Sequence, residues 1–456
     1  GFSVVPLVFS LSSFLQCERV LCHPMLTLRR AFLLWLPLAA MWILMSIEGP
    51  VVQAAAARAP ETKLNLAAYG YAFFSLLILE APVFMFLSAS NALVKGPQSY
   101  ERFRNYSYLI SFCLSAACLL VAVSGAFYSI SHSFVGLEEP LARLAEKCLL
   151  VLAVCPLMVG YRRFHQGILV KAQQSSWIAW GGFFRIAVAG VTAFSLLAYS
   201  TIPGGVIVCS SLSIAITVEA YFIRWRSQRV ISELYNNPRA GDHHLSLAEM
   251  NRFYLPLAVA SVVNIGVQPV LTFFLAQGVD AKFALASWPV LMSFQFLFFT
   301  PALAYQDIII AHKHEDEGNG RVLKTLGFVL VALFAAGGAL FMFTPAFQLW
   351  FVELVSISQE LANYMYSPAL FCIPMSGLAV WLASLRAHHT LEHTTRQIFI
   401  GSSVELLGSF LFMWALYGGE RFSSIFAAVL SFFCARTLSC LYMWTVRLPP
   451  TKIRPA

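Results

Sequence analysis

The sequence predicts an all-α integral membrane protein with about twelve transmembrane helices, arranged as two parallel six-helix repeats. Of its 456 residues, 59% are hydrophobic and only 11% are charged, whereas soluble domains carry about 25% charged residues. Apolar stretches of about 20 residues recur along the chain, and each is long enough to cross a bilayer core about 30 Å thick. A proline-containing motif also recurs half a chain apart, which indicates that the two halves are related.

The first 24 residues stand apart from this pattern. They precede Met25, which is followed by a Leu-Thr-Leu-Arg-Arg sequence that resembles a natural start. We therefore interpret residues 1–24 as an N-terminal extension of doubtful status. A signal peptide is the competing interpretation, because residues 2–15 are apolar, but the segment lacks a basic beginning and a small-residue cleavage site.

The apolar stretches divide the rest of the chain into two lobes. Residues 25–223 form the predicted N-lobe and residues 252–456 form the predicted C-lobe with a short tail. Six spans are expected near 31–56, 64–92, 106–130, 145–166, 175–200 and 203–223, and six more near 253–277, 283–310, 325–347, 361–384, 398–417 and 422–445. Residues 224–251 are rich in Arg, Asn, Gly and His, a composition typical of a loop, and are predicted to be a cytoplasmic linker.

The distribution of basic residues predicts the orientation. With the start of span 1 placed in the cytoplasm, the segments on that side contain 21 Lys and Arg residues. The loops on the other side contain six, namely Arg58, Lys63, Arg143, Lys147, Lys282 and Arg421. Because positive charge favours the cytoplasmic side, both termini are predicted to lie inside the cell or inner membrane.

The internal repeat can be followed residue by residue. A Leu-Pro-Leu-Ala motif at 36–39 recurs at 255–258, an offset of 219, and the same offset relates Pro50 to Pro269. Six helices per repeat make the two copies run in the same direction, about an axis along the membrane normal. Proline removes a helical hydrogen bond, so Pro50 and Pro269 are candidate hinges. The alternative is that both prolines only fit bent helices into the bundle.

These features resemble the multidrug and toxic compound extrusion (MATE) family and its superfamily of multidrug, oligosaccharidyl-lipid and polysaccharide (MOP) exporters. The two Leu-Pro-Leu-Ala motifs and the segment 350–364 carry the resemblance, and residues 253–274 with their two prolines are most similar to exporters of the progressive ankylosis type. The resemblance implies V-shaped helix bundles that open alternately to the two sides and are driven by a proton or sodium gradient.

The resemblance also implies an acidic ion site, and the sequence departs from the family here. MATE proteins typically use an acid in the first helix or acids in the seventh and eighth helices. In this chain span 7 offers Asn264 and Gln268 and span 8 offers Gln295, none of which is acidic. The family role is therefore carried to Glu48 in span 1.

Ionisable residues inside the membrane are costly, so they are kept for function or paired for structure. Glu80, Arg185, Glu405 and Arg436 are predicted near mid-depth and Glu48 in the outer half. In the functional interpretation Glu48 and Glu80 take up a cation, while the arginines bind an anionic substrate or form a gate. In the structural interpretation Glu80 pairs with Arg185, and Glu405 with Arg436. Glu219 and Asp307 are set aside, because each is predicted about five residues from a helix end.

The sequence contains no nucleotide-binding phosphate loop, so an ion gradient (H+ or Na+) is the expected energy source and no cofactor is expected. The histidines at 312–314 and 388–393 are interpreted as loop residues and not as metal ligands. The predicted function is secondary-active export of small organic molecules by a monomer in contact with the lipid bilayer and not with nucleic acid. The alternatives are a lipid-linked sugar flippase, an organic-anion exporter and, from a different class, a membrane enzyme or assembly scaffold.

Overall fold

A computed structural model describes residues 26–172, 174, 176–236, 242–312, 318–392, 394–417 and 422–446. All regular secondary structure within these ranges is helical. The doubtful extension at residues 1–24 lies outside them.

The helices follow the predicted order of twelve spans. Spans 1–6 are formed by Leu28–Ser46 with Glu48–Arg58, Thr62–Phe84 with Phe86–Leu93, Pro97–Val123, Glu139–Leu152 with Cys155–Lys171, Ser176–Tyr199, and Gly204–Asn236. Spans 7–12 are formed by Leu247–Ile265 with Val267–Ala276, Ala281–His312, Asn319–Phe343, Gln359–Ala369 with Cys372–Leu391, Thr395–Tyr417, and Ser424–Thr445.

The lengths and compositions of these helices confirm an integral membrane protein. Ten of the described helices are long and apolar enough to cross a bilayer, and the pair that forms span 10, bent by 48°, is an eleventh candidate. The two helices of span 1 account for the remaining predicted span. The prediction of about twelve membrane helices is therefore confirmed.

The connection between the two halves is shorter than the predicted linker. Span 6 continues as one helix to Asn236 and span 7 begins at Leu247, so only residues 237–246 separate the two helices. The charged residues of 224–236 need no loop, because a helix can extend beyond the membrane into water. The end of the bundle at residues 237–246 is called the linker end below, and the opposite end the far end.

The repeat extends to the helix breaks. Span 1 is interrupted at Ile47 and span 7 at Gly266, positions that are 219 residues apart. Pro50 and Pro269 each lie three residues after the interruption. Because proline has no N–H, the carbonyl four residues before it loses its helical partner, and the helix is interrupted in that turn.

Two π-helical segments at the far end were not predicted. They span Ile130–Phe134 and Leu349–Leu354, and each is closed by a hydrogen bond of 2.9 Å to the carbonyl of residue 130 or 350. Each is followed by a residue with positive φ, Gly136 at 84° and Ser356 at 65°. The two lobes therefore share an irregular turn as well as their helices.

Spans 1 and 7 cross between the lobes. The first helix of span 1 buries Ala31 and Trp35 against spans 8–10 of the C-lobe, whereas its second helix buries Ala55 against spans 5 and 6 of the N-lobe. Span 7 does the reverse, since Tyr254 packs among N-lobe residues and Leu271 packs in the core shared with spans 11 and 12. The predicted lobe boundary thus divides the sequence, while spans 1 and 7 connect the lobes in space.

Close helix contacts join the lobes toward the far end. A Cβ at Gly70 in span 2 would lie 2.8 Å from the Cγ of Pro289 in span 8, so the two helices touch. Gln53 Nε2 donates to the carbonyl of Pro289 at 3.1 Å, and Ser293 Oγ donates to Gln53 Oε1 at 2.8 Å. Gln53 is 2% exposed, so these bonds are shielded from solvent.

Candidate functional site

A chain of ion pairs runs through the N-lobe. Glu48 Oε2 lies 2.9 Å from Arg185 Nη2, and Arg185 Nη1 lies 3.4 Å from Glu219 Oε2. Glu219 Oε2 also contacts Arg162 Nη1. Acidic and basic groups therefore alternate along four side chains, which we call the N-lobe network.

Four different spans position the N-lobe network. Glu48 is the first residue of the second helix of span 1, immediately after the break at Ile47. Arg162, Arg185 and Glu219 come from spans 4, 5 and 6. Because an unpaired charge in a low-dielectric interior is costly, the four charges compensate one another and hold the start of that helix against the lobe.

Exposure differs along the network. The side chains of Glu48 and Arg185 are 14% and 12% exposed, whereas those of Glu219 and Arg162 are 3% and 5% exposed. Gln166 Nε2 adds a hydrogen bond of 3.4 Å to Glu219 Oε1. The Glu48 end is thus the part of the network that an ion or substrate can reach most directly.

Two expectations from the sequence are corrected here. Arg185 does not pair with Glu80, since its carboxylate partners are Glu48 and Glu219. Glu219 was set aside as a residue near a helix end, yet it is 2% exposed. The reason is the length of span 6: the helix continues to Asn236, which is 17 residues beyond Glu219 (236 − 219). The arginines one span away, at 162 and 163, were the available signal for this partner.

Glu80 lies apart from these ion pairs. Its side chain is buried in span 2 with 4% exposure, and its Oε1 has no hydrogen-bond partner among the described residues. Arg163, on span 4, donates to Gln166 Oε1 at 3.2 Å and lies over the ring of Phe84 at 5.2 Å. A buried carboxyl oxygen without a partner can accept a proton or a cation, so Glu80 stays a candidate site residue.

The C-lobe contains a smaller ion pair. Both Nε and Nη2 of Arg436 lie 2.9 Å from Glu405 Oε1, and the guanidinium also stacks over Phe432 at 4.3 Å. This is the second pair of the structural interpretation. Its polarity is opposite to that of the N-lobe, where Arg185 is on the fifth helix of the repeat and Glu219 on the sixth.

Arg386 is a buried cation that the sequence assigned to a loop. It lies within the second helix of span 10, and its Nη2 donates to Asn264 Oδ1 at 3.1 Å and to Ser402 Oγ at 3.5 Å. Its Nε has no hydrogen-bond partner, and no carboxylate lies within 4.0 Å among the described residues. The C-lobe cluster of Arg386, Glu405 and Arg436 therefore has one positive charge in excess.

The histidine segments need one correction. His388 and His389 belong to the last turn of span 10 and not to a loop. His389 is 2% exposed, and its ring nitrogens bond to Thr394 Oγ1 at 2.8 Å and to the carbonyl of Met443 at 3.0 Å. Residues 313–317 lie outside the described ranges, and within those ranges no three potential metal ligands form a group.

Comparison with solved structures identifies the fold. An inward-facing conformation of a multidrug resistance MATE family transporter of the MOP superfamily matches with a TM-score of 0.69 and 13% identity, covering 90% of this chain and 96% of that one. The lipid II flippase MurJ, in an inward closed conformation, gives 0.66 and 14% over 90% of this chain and 87% of its own. A MOP superfamily transporter from Pyrococcus furiosus gives 0.64 and 14% over 92% and 96%.

No protein-family model and no curated relative matches the sequence. The finer resemblance to the progressive ankylosis type stays a prediction. The likeness covers both lobes and the breaks between them, and the chain therefore has the fold of the MATE transporters of the MOP superfamily.

Proposed function

We propose that this protein is a secondary-active exporter of small organic molecules, which works by alternating access and is coupled to a proton or sodium gradient. The observation that carries the proposal is the ion pair between Glu48 and Arg185, 2.9 Å apart at the break in span 1. Span 1 contacts the C-lobe before this break and the N-lobe after it. A change of charge at Glu48 therefore acts where the two lobes are connected.

The coupling step follows from the charges. With both carboxylates ionised, the N-lobe network of Glu48, Arg162, Arg185 and Glu219 is neutral. A proton or Na+ on Glu48 cancels its attraction for Arg185 and leaves the network with a net positive charge, while Arg185 keeps Glu219 at 3.4 Å. The second helix of span 1 then loses its anchor. The same positive charge repels a cationic substrate, so ion and substrate compete, as antiport requires.

The proposed orientation places the linker end and both termini in the cytoplasm, in the cell membrane. The excess of Lys and Arg on the linker side supports it. A cysteine in place of Ser356 at the far end should react with an impermeant maleimide added to intact cells, whereas one in place of Ser232 should react only after lysis. The reverse labelling pattern would contradict this orientation.

Transport in proteoliposomes tests the coupling. We expect an imposed pH or sodium gradient to drive flux of a cationic dye in the parent, and Glu48→Gln to reduce the driven flux to that of protein-free liposomes. Glu405→Gln, which removes a carboxylate of similar burial from the C-lobe, is the matched control and should keep its gradient dependence. Gradient-driven flux that survives Glu48→Gln would exclude Glu48 as the coupling residue.

An organic-anion exporter is the second candidate. The excess positive charge of the C-lobe cluster favours it, because Arg386 has hydrogen bonds to neutral groups only. A guanidinium of this kind suits a carboxylate or phosphate, with which it forms paired hydrogen bonds. Flux of an organic dianion that is lost in Arg386→Gln, together with absent dye flux in the parent, would select this candidate.

A flippase remains the third transport candidate, since one of the structures with this fold is titled a lipid II flippase. For this chain, translocation of a fluorescent lipid-linked sugar across the proteoliposome membrane would support it. Dye flux without such translocation would select the small-molecule exporter.

A further inference from the structure

An apolar groove lies on the surface of the bundle between the lobes, toward the linker end. Its volume is 410 Å³, within the range of about 300–1,000 Å³ that small-molecule sites occupy. Residues of spans 2 and 3 form one wall and residues of span 7 form the other. The lining includes Pro82, Ile110, Leu114, Tyr254, Leu255 and Val259.

The groove opens to the outside of the protein. Leu255 and Val259 on span 7 are 51% and 54% exposed, and both lie within the membrane-spanning part of the helix. In a bilayer this opening faces lipid and not water. An acyl chain is the apolar occupant that such a site meets continuously.

The cation at the linker end of the groove points to the charge of the lipid. Arg252 lies three and seven residues before Leu255 and Val259, so the helix places all three on one face. Arg252 is exposed, and its side chain has no ion pair or hydrogen bond among the described residues. The nearby acids are occupied: Glu101 accepts from Tyr235, Asp242 from Ser99, and Glu249 from Ser246.

A buried hydroxyl supplies a second, independent observation. Tyr254 lines the groove, is 2% exposed and stacks on Phe86 with ring centroids 4.8 Å apart. Its hydroxyl has no hydrogen-bond partner among the described residues. A buried hydroxyl without a partner is unfavourable, so a ligand that brings an acceptor to this position gains more than its apolar contacts.

We propose that the groove binds one anionic phospholipid, whose acyl chain lies against Leu255 and Val259 while Arg252 contacts the phosphate. An oxygen of the lipid accepts the hydrogen bond from Tyr254. Because the walls belong to spans 2, 3 and 7, the lipid contacts both lobes at once. The site is independent of the proposed transport path, since none of its residues belongs to the N-lobe network or the C-lobe cluster.

Native mass spectrometry of the purified full-length chain tests the proposal, with palmitoyl-oleoyl phosphatidylglycerol and phosphatidylcholine as probes. We expect the parent to retain phosphatidylglycerol about fivefold better than phosphatidylcholine, the effect of one basic residue beside an anionic lipid. Val259→Trp should abolish retention of both lipids because the indole fills the groove. Val191→Trp, at a position 69% exposed on span 5, is the matched control and should retain both.

Two further variants separate the head-group contacts. Arg252→Gln should remove the preference for phosphatidylglycerol, whereas Arg229→Gln on the linker-end turns of span 6 should not. Tyr254→Phe should lower lipid retention. Equal retention of the two lipids by the parent, or undiminished retention by Val259→Trp in a variant of unchanged helicity, would overturn the site. A Tyr254→Phe variant that gains thermal stability and keeps its lipid would overturn the hydroxyl contact.

Discussion

Buried charges in this protein are stable only as sets, and Glu219 shows this most clearly. It contacts both Arg162 and Arg185, so its removal leaves two guanidinium groups with one fewer anion. We expect Glu219→Gln to destabilise the protein by about 3–5 kcal/mol, the usual cost of breaking a buried pair. Glu405→Gln should cost less, because Glu405 is paired with Arg436 alone. Thermal or chemical unfolding in detergent measures both, with exposed Glu353→Gln as the control; equal stability of Glu219→Gln and the parent would contradict this ordering.

Asp242 carries a pH-dependent contribution outside the membrane. Its Oδ2 accepts from Gln98 N at 3.2 Å and its Oδ1 from Ser99 N at 3.1 Å, so it caps the beginning of span 3. Partial burial raises the pKa of this carboxyl, but the hydrogen bonds from Ser99 and Gln98 outweigh it and hold the pKa below its usual value. A depressed pKa stabilises the fold above the unfolded pKa of about 3.9, and this stabilisation is lost as the pH falls through the folded pKa.

The corresponding measurement is the thermal midpoint of the parent and of Asp242→Ala as a function of pH. At neutral pH we expect the substitution to cost about 0.5–2 kcal/mol, as for other helix caps. The difference should shrink as the pH drops below 3.9. Asp242→Asn keeps an acceptor but does not titrate, so its stability relative to Asp242→Ala should be constant over the same range.

The sequence predicted which residues are buried charges better than it predicted their partners. Composition and hydropathy placed Glu48, Glu80, Arg185, Glu405 and Arg436 in apolar helices. Partner choice depends on how the helices are rotated and how far they extend, which hydropathy does not determine. Glu219 was missed because the helix end was placed at the last apolar residue, whereas span 6 continues through a polar stretch to Asn236.

At the scale of the element, the interrupted helices of spans 1 and 7 were predictable and the π-helices were not. Proline has a direct steric and hydrogen-bonding consequence, so Pro50 and Pro269 indicated where a helix would be interrupted. The segments at 130–134 and 349–354 contain no such residue. Their geometry depends on the turn that follows, where a positive φ occurs at Gly136 in one repeat and at Ser356 in the other.

Pro50→Ala tests whether the break in span 1 is a hinge. The substitution restores the N–H that can bond to the carbonyl of Ser46, and removing a proline from a helix interior is worth about 3 kcal/mol. We expect a higher thermal midpoint together with reduced gradient-driven transport, because Glu48 is then fixed within a continuous helix. Pro269→Ala in the equivalent break is the matched control, since Gln268 takes the place of the acid there. Normal transport by Pro50→Ala would favour the alternative that the proline only fits the helix into the bundle.

At the scale of the whole molecule, contacts at the far end hold the lobes together asymmetrically. Lys63 pairs with Glu360 and lies 3.7 Å from the centroid of the Phe283 ring. Its repeat equivalent is Lys282, 219 residues later, which is exposed and lines a cavity of 720 Å³ together with Glu138. One side of the far end is therefore closed by a basic residue of the N-lobe, while the equivalent side is open.

This asymmetry predicts that Lys63 controls access from the far end and that Lys282 does not. An exposed ion pair contributes at most about 1 kcal/mol, so Lys63→Ala should raise the population of far-end-open molecules by no more than about fivefold. The measurement is the rate at which an impermeant thiol reagent modifies a cysteine replacing Gln53, a residue 2% exposed between spans 1 and 8. Lys282→Ala should leave this rate unchanged. The double variant Lys63→Glu with Glu360→Lys should restore the slow rate, because an ion pair of reversed polarity joins the same two lobes; a rate that stays fast in the exchanged pair would show that Lys63 acts through Phe283 and not through Glu360.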